Sequence, residues 1–332
     1  MDDVARHAGV SAMTVSRVIN REPKVSDAMR ERVEAAIEEL GYSPNEAARD
    51  LAGAHLVKIA LLYHEPSAYV AEFLFGGFDE LRARNAHFVV DKCPDVDAAE
   101  ASLRRSIAAG IDGVLMPAPF ADSARLIDVL READTPVAVV TSSVVSDDVP
   151  AVGIDDYGAA CCLTRFLIDK GHRDIGFIKG PEEQLASGRR LAGFEATMAE
   201  AGIAVPPGRI ADGDFTYRSG REAAASLLES DAPPTAIFAC NDEMAVATIS
   251  VAHGRGLDVP ADLSVVGFDD IPIARAVWPE LTTIHQPVAG MSAAAVGLLI
   301  DTIISRRSGE GAPAPHIELD YALVERDSVA GI

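Results

Sequence analysis

Apolar positions recur at helical spacing along the first forty residues. In "DVARHA" (3–8), Val4, Ala5 and Ala8 share one face, and Gly9 ends the segment because glycine turns the chain there without steric cost. "SAMTVSRVIN" (11–20) repeats the spacing with Val15, Val18 and Ile19, and Ser11 can cap this helix by accepting from an early backbone N–H. A third helix is predicted after Ser26, burying Val33, Ala36, Ile37 and Leu40 and stopping at Gly41. Three short helices around one small core result. In "YSPNEAARDLAGAH", Pro44 ends any preceding helix, Asn45 can cap a new one, and Gly53 closes it after about two turns, a length that is marginal alone in water.

From residue 57 the pattern changes. Apolar runs of strand length, "VKIALL" (57–62), "HFVV" (87–90), "GVLM" (113–116), "VAVV" (137–140), "AVGI" (151–154), "IGFI" (175–178), "AIFA" (236–239), "SVVGF" (264–268) and "TTIH" (282–285), alternate with amphipathic helical stretches. Continuous apolar strands alternating with helices imply parallel sheet covered on both faces. So many runs suit two doubly wound lobes better than one sheet. The segment "RRSGEGAPAP" (306–315) is a low-complexity loop.

Length and composition agree with this division. At 332 residues the chain exceeds one ordinary core, and 48% hydrophobic residues make it globular throughout. No apolar run reads as a membrane span, and "MDDVARHAG" lacks the basic flank and apolar stretch of a signal peptide, so a cytoplasmic protein is expected. Cys93, Cys161, Cys162 and Cys240 form no CxxC and stand at no zinc-ligand spacing. They read as reduced core residues, with no metal and no cofactor. The net charge of −22 argues against a protein that coats nucleic acid nonspecifically. Within residues 6–32 the sign reverses, with Arg6, Arg17, Arg21, Lys24, Arg30 and Arg32 against Glu22, Asp27 and Glu31.

A helix, a tight glycine turn and a second helix form a helix-turn-helix, whose second helix lies in the major groove. With Val15, Val18 and Ile19 facing the core, Ala12, Met13, Ser16, Arg17 and Asn20 face outward. Arg17 can bond bidentately to guanine, and Ala12 and Met13 can touch a thymine methyl or a sugar. Ser11, Thr14, Ser16 and Asn20 can hold phosphates, and Lys24 joins the same DNA-contacting set.

The ordered words "DVARHAGVSAMTVSRVIN" and "VSDAMRERVEAAIEELGYSPNEAARDLAG" closely resemble the N-terminal module of the LacI/GalR family of bacterial transcription regulators. The resemblance continues in "GHRDIGFIKGP" (171–181), "SGRRLAGF" (187–194), "AIFACNDEMA" (236–245), "LSVVGFDD" (263–270), "PELTTIHQP" (279–287) and "LVERDS" (323–328), covering nearly the whole chain. It implies a homodimer on a near-palindromic double-stranded operator. It also implies a short hinge helix entering the minor groove, where Leu51 wedges between base pairs, Ala48 and Ala52 allow close approach, Arg49 contacts phosphate and Asn45 starts the helix. Two features depart from the family. The chain begins almost at the first helix, which implies weaker DNA binding or a start a few residues upstream. Glu46 and Asp50 place carboxylates on the hinge helix, with Glu46 at its positive end and Asp50 facing away from DNA.

The resemblance further implies a periplasmic-binding-protein-like core holding a ligand between two lobes. The expected division is a helix-turn-helix head at 1–44, hinge and linker at 45–56, and a core at 57–332. Within the core, the lobe near DNA takes 57–156 and 286–313, and the distal lobe takes 157–285 and 314–332. Arg190 matches the family arginine before "AGF" that grips ligand hydroxyls or a carboxylate, Asp269 in "GFDD" accepts from ligand hydroxyls, and Asn241 lines the pocket. Phe215 is placed to stack on a sugar face, Asp155 is a further candidate, and Tyr69 and Phe73, in the loop after the first strand, fit the rim.

The expected function is a repressor whose operator affinity answers to a small molecule, most simply a carbohydrate. A solute-binding protein of a sugar transport system would share the two lobes but has no use for residues 1–53. An enzyme is disfavoured because no motif pairs a nucleophile with a base. With no leucine-heptad tail after "LVERDS", a dimer is expected rather than a tail-made tetramer.

Overall fold

The computed structural model describes residues 1–19, 25–41, 56–140, 148–230, 232–309 and 315–332. Asn20, Lys24, Asn45, Glu46, Ala48, Arg49, Asp50, Leu51 and Ala52 lie outside the described residues, and with them the expected hinge helix. The chain divides into an N-terminal unit, residues 1–57 together with 85–87, and a larger unit, residues 58–84 and 88–332.

The N-terminal unit holds the helices Asp2–Ala8, Ala12–Ile19 and Asp27–Glu39. Val4, Val15 and Val33 are completely buried, with Ala5, Ala8, Val18 and Ala36 around them. Gly9 ends the first helix at φ 61°, a left-handed value that favours glycine. Ser11 caps the second, its Oγ accepting from Thr14 N at 3.1 Å. His7 Nε2 bonds Glu39 Oε2 at 2.6 Å and ties the first helix to the third. Leu40, expected in the core, is instead the C-cap residue and is 44% exposed, so the apolar stripe ends at the half-buried Ile37.

The larger unit contains two doubly wound sheets. Six strands are ordered β11-β5-β4-β3-β1-β2: β1 Val57–Tyr63, β2 Ala86–Lys92, β3 Gly113–Pro117, β4 Val137–Val140, β5 Ala151–Gly153 and β11 His316–Glu318. The pairs from β1 to β11 are parallel. Side chains alternate between faces. Ala60, Leu62, Val114, Met116, Val137 and Val139 point one way and pack against the helices Val96–Ala108 and Ala124–Glu132. The other face packs against the helix Val288–Ser308, which in turn packs against the helix Ala68–Ala83.

The second sheet is ordered β7-β6-β8-β9, all parallel: β6 Ile175–Ile178, β7 Ile210–Ala211, β8 Ala236–Ala239 and β9 Ser264–Val266. The helices Asp156–Asp169 and Leu185–Glu200 pack together, as do Tyr217–Leu228 and Asp242–Gly254. Phe177 and Phe238 from the sheet meet Phe194 from a helix, with Phe177 stacked on Phe194 at 4.9 Å between ring centroids. A Cβ at Gly193 would overlap the carbonyl oxygen of Tyr157, which accounts for the small residue in "LAGF". A two-stranded antiparallel ribbon, β10 Thr283–His285 with β12 Ala322–Val324, lies where the chain passes between lobes.

One expectation is corrected. The strand β11, read as part of the distal lobe, pairs with β5 through His316↔Ala151 and Ile317↔Val152, so the last crossing follows Glu318 rather than residue 313. The helix Val288–Ser308 is long and apolar enough to cross a membrane by length and composition. Its apolar residues Val288, Met291, Ala295, Val296, Leu299, Ile300 and Ile303 are buried, and it is a core helix of the first lobe.

Gly76 marks a close approach of the two helices on that lobe, since a Cβ there would stand 2.8 Å from the carbonyl carbon of Ala289 and nearer still to its Cα. Alanine gains about 1 kcal/mol of helix propensity over glycine, while overpacking against rigid backbone costs about 1–3 kcal/mol. Gly76→Ala should therefore lower stability in urea denaturation by about 1 kcal/mol or more; a more stable variant would contradict this packing.

Candidate functional site

A group of buried carboxyl and amide side chains gathers at the C-terminal ends of strands in the larger unit, which is where open α/β sheets bind ligands. Asp156 follows β5, Asn241 and Asp242 follow β8, Asp269 follows β9 and Gln286 follows β10. Arg190 reaches the same place from the helix after β6, and Tyr69 from the helix after β1.

Arg190 lies at the centre and is 5% exposed. Its Nε donates to Asp156 Oδ1 at 2.7 Å, its Nη1 to the Cys240 carbonyl at 2.6 Å, and Nη1 stands 3.7 Å from Asp269 Oδ1. The guanidinium also lies 3.6 Å from the ring centroid of Phe268. Burial works against its charge, but Asp156 and Asp269 outweigh burial and hold its pKa above the ordinary value. Arg189, the alternative for this role, is exposed and off the buried stripe of Ser187, Arg190, Phe194 and Thr197.

Asp269 is held in a strained turn. It has φ 117° and Asp270 has φ 61°, both left-handed and costly for residues with a Cβ. The surroundings impose this shape. Asp242, fully buried, accepts from Ile271 N at 2.9 Å and Thr283 Oγ1 at 2.6 Å, while Asp270 accepts from Arg326 Nη2 at 2.5 Å and Arg275 Nη2 at 3.1 Å. Gln286 Nε2 donates to Asp269 Oδ1 at 2.6 Å. Among the described residues, no group donates to Asp269 Oδ2 and none accepts from Arg190 Nη2. Burial pushes Asp269 up to about 7, against the pull of Arg190 and Gln286. Burial and then the charge of Asp269 push Asp242 well up, and burial takes the Cys240 thiol to about 12.

The remaining candidates separate. Tyr69 is half-buried at the start of a helix rather than in a loop, and burial followed by the charge of Asp269 raises its phenol above the usual range. Phe215 has φ 68° and its ring packs on Gly180, where a Cβ would clash, at 6.0 Å from the Arg190 guanidinium. Asn241 uses both ends of its amide within the protein: Oδ1 caps the helix from Met244 N at 3.0 Å, and Nδ2 donates to the Phe215 carbonyl at 2.9 Å. It positions Phe215. Asp155 is corrected to a helix cap, accepting from Gly158 N at 3.0 Å. Phe73 is corrected to a core residue, 1% exposed on the helix Ala68–Ala83. Sequence reasoning missed Asp156 and Gln286. For Asp156 a signal existed, because it continues the buried stripe of Ala159, Ala160 and Leu163.

On the second helix of the head, Ser11 and Arg17 are exposed and Met13 is 64% exposed. Thr14 and Ser16 are half-buried, and Ser11 Oγ meets Thr14 Oγ1 at 2.9 Å. Ala12, read as outward, is half-buried against the head core because it opens the helix beside Val15 and Ile19.

A three-helix head with an exposed second helix, followed by two doubly wound lobes with a polar cluster at their strand ends, is the architecture of a DNA-binding regulator. Residues 1–45 match the bacterial regulatory proteins of the lacI family, and residues 164–329 match the periplasmic binding protein-like domain. The HTH-type transcriptional repressor PurR of Proteus mirabilis is 38% identical over 333 residues, covering 99% of this chain and 96% of that one. Catabolite control protein A of Priestia megaterium is 35% identical over 300 residues, 90% of each chain. Among solved structures, the complex of transcriptional regulator CelR with cellobiose superposes with TM-score 0.76 at 32% identity over 98% of both chains. The lac repressor dimer bound to operator and the anti-inducer ONPF gives TM-score 0.80 at 28% identity, over 99% of this chain and 98% of that one. This chain belongs to the LacI family of DNA-binding transcriptional regulators.

The raised Asp269 makes stability depend on pH. Its relative stabilisation is complete below the ordinary value of 3.8 and is lost as pH rises through about 7. Asp269→Asn should remove that component, so the wild-type curve should fall relative to the variant between about pH 4 and about pH 8 in denaturant titrations. Parallel curves would contradict the burial described for Asp269.

Proposed function

We propose that this regulator is a repressor that binds a near-palindromic operator as a homodimer, and that a small polyhydroxyl molecule held between the lobes sets its operator affinity. The observation that carries the ligand half is the buried Arg190–Asp269 pair. One guanidinium nitrogen and one carboxylate oxygen have no hydrogen-bond partner among the described residues, and together they match a hydroxyl that accepts and a neighbour that donates. Phe215 and Tyr69 supply aromatic surface beside them. The cellobiose complex of the superposing CelR supports a carbohydrate.

In the DNA half, Arg17 reads guanine, Met13 touches a base methyl or sugar, and Ser11, Thr14 and Ser16 hold phosphates, with Asn20 and Lys24 beyond them. In the hinge, Leu51 wedges between base pairs in the minor groove, Ala48 allows close approach, Arg49 contacts phosphate and Asn45 starts the helix. The dimeric lac repressor structure supports two copies, as do the exposed Phe75, Phe78 and Trp278, at 68%, 45% and 78%. The site of action places the protein in the cytoplasm. A transport protein would leave the DNA-binding head unused.

Coupling requires the ligand to favour one arrangement of the lobes. The backbone N–H of Leu185 donates to Asp122 Oδ2 at 3.0 Å from one lobe to the other, one contact that such a change would alter.

Selection from random duplex DNA should yield two related half-sites. Arg17→Ala should weaken binding to the selected site by about 1–3 kcal/mol and relax preference at one guanine per half-site; a uniform loss across all sequences would reassign Arg17 to phosphate.

A further inference from the structure

The charges at the strand ends restrict which ligand chemistry the cleft can hold, an argument that rests on the cleft being the effector site. Arg190 supplies the positive charge that acts most strongly on Asp269 among the described residues, and it is matched on both sides by carboxylates, Asp156 at 2.7 Å and Asp269 at 3.7 Å. Asp242 and Glu243, from the helix after β8, add further carboxyl groups, and Gln286 and Tyr69 add none but bring no positive charge. Towards the ends of β6 and β7 the balance repeats. Lys179 is taken by Glu182 at 2.6 Å and Asp212 at 3.0 Å, and Asp214 stands nearby, accepting from Thr216 and Ser219. From the first lobe comes Asp122.

We propose that the cleft selects an uncharged polyhydroxyl effector and turns away its phosphorylated and carboxylated counterparts. An anionic group would meet Arg190 and Lys179 already paired with carboxylates, and Arg275, Arg326 and His285 already engaged by Asp270. A fully ionised phosphate seated against Asp269 Oδ2 also offers only acceptors, so at that position it does not supply the donor that a hydroxyl would. The discrimination sharpens as Asp269 becomes a carboxylate, with Arg190, Asp156, Asp242, Glu243, Gln286 and Tyr69 as its neighbours, and with Asp270 beside it engaged by His285 of β10, Arg275 and Arg326.

The test uses the full chain and matched sugars: glucose with glucose 6-phosphate and gluconate, cellobiose with cellobionate, and ribose with ribose 5-phosphate, by thermal shift and then calorimetry. At least one uncharged sugar should bind, with its charged counterparts weaker by at least about ten-fold, the scale of one poorly screened like-charge contact. The gap to the carboxylated sugar, whose own charge is constant, should widen from about pH 6 to about pH 8. Glu182→Gln with Asp212→Asn, both at exposed side chains, should narrow the gap. A phosphorylated or carboxylated sugar binding as tightly as its uncharged parent would overturn the charge rule and leave the cleft reading standing. Failure of every sugar, charged and uncharged, would overturn the carbohydrate reading and the proposal with it.

Discussion

A guanidinium buried between carboxylates is tolerable only when its partners are held in place, and much of the distal lobe serves that requirement. The partners of Arg190 come from separate parts of the chain: Asp156 from the helix after the first crossing, the Cys240 carbonyl from the end of β8, and Asp269 from the turn after β9. Gln286, at the start of the return crossing, fastens Asp269 in turn. Losing any one would leave charge unpaired in a water-poor place, so the cluster joins strand ends and crossings that the sheet alone does not connect. The part of the cluster left incomplete is the ligand site we propose.

The strain in the Asp269–Asp270 turn belongs to the same design. Two left-handed residues with side chains persist because Asp242 beneath them and Arg326 beside them determine the loop's shape. What this positions is a carboxylate with one oxygen occupied and one available. Asn241 acts similarly one step away, spending its amide on the helix cap and the Phe215 carbonyl so that the aromatic ring stays beside the guanidinium.

Much of this was legible in the sequence. All nine apolar runs contain or overlap strands, and the glycine turn and Ser11 cap of the head stand where periodicity put them. The strands β7, β11 and β12 were not, because two or three partly exposed residues make no apolar run. Site residues were less legible than the fold. In "GIDDYG" composition cannot say which aspartate caps and which turns inward, and only the buried stripe distinguishes Asp156 from Asp155. Phe73 carried the right chemistry for a rim, yet its helical phase buries it. Gln286 gave no signal, because its role depends on a partner 17 residues away.

The head and the cleft become one device only if ligand and DNA each change the other's affinity. The direct measurement is the dissociation constant of the selected operator with and without a saturating uncharged sugar that binds the cleft, set against that sugar's own dissociation constant with and without operator. The account predicts that both change, and by the same factor. A sugar that binds tightly while operator affinity stays constant would contradict it.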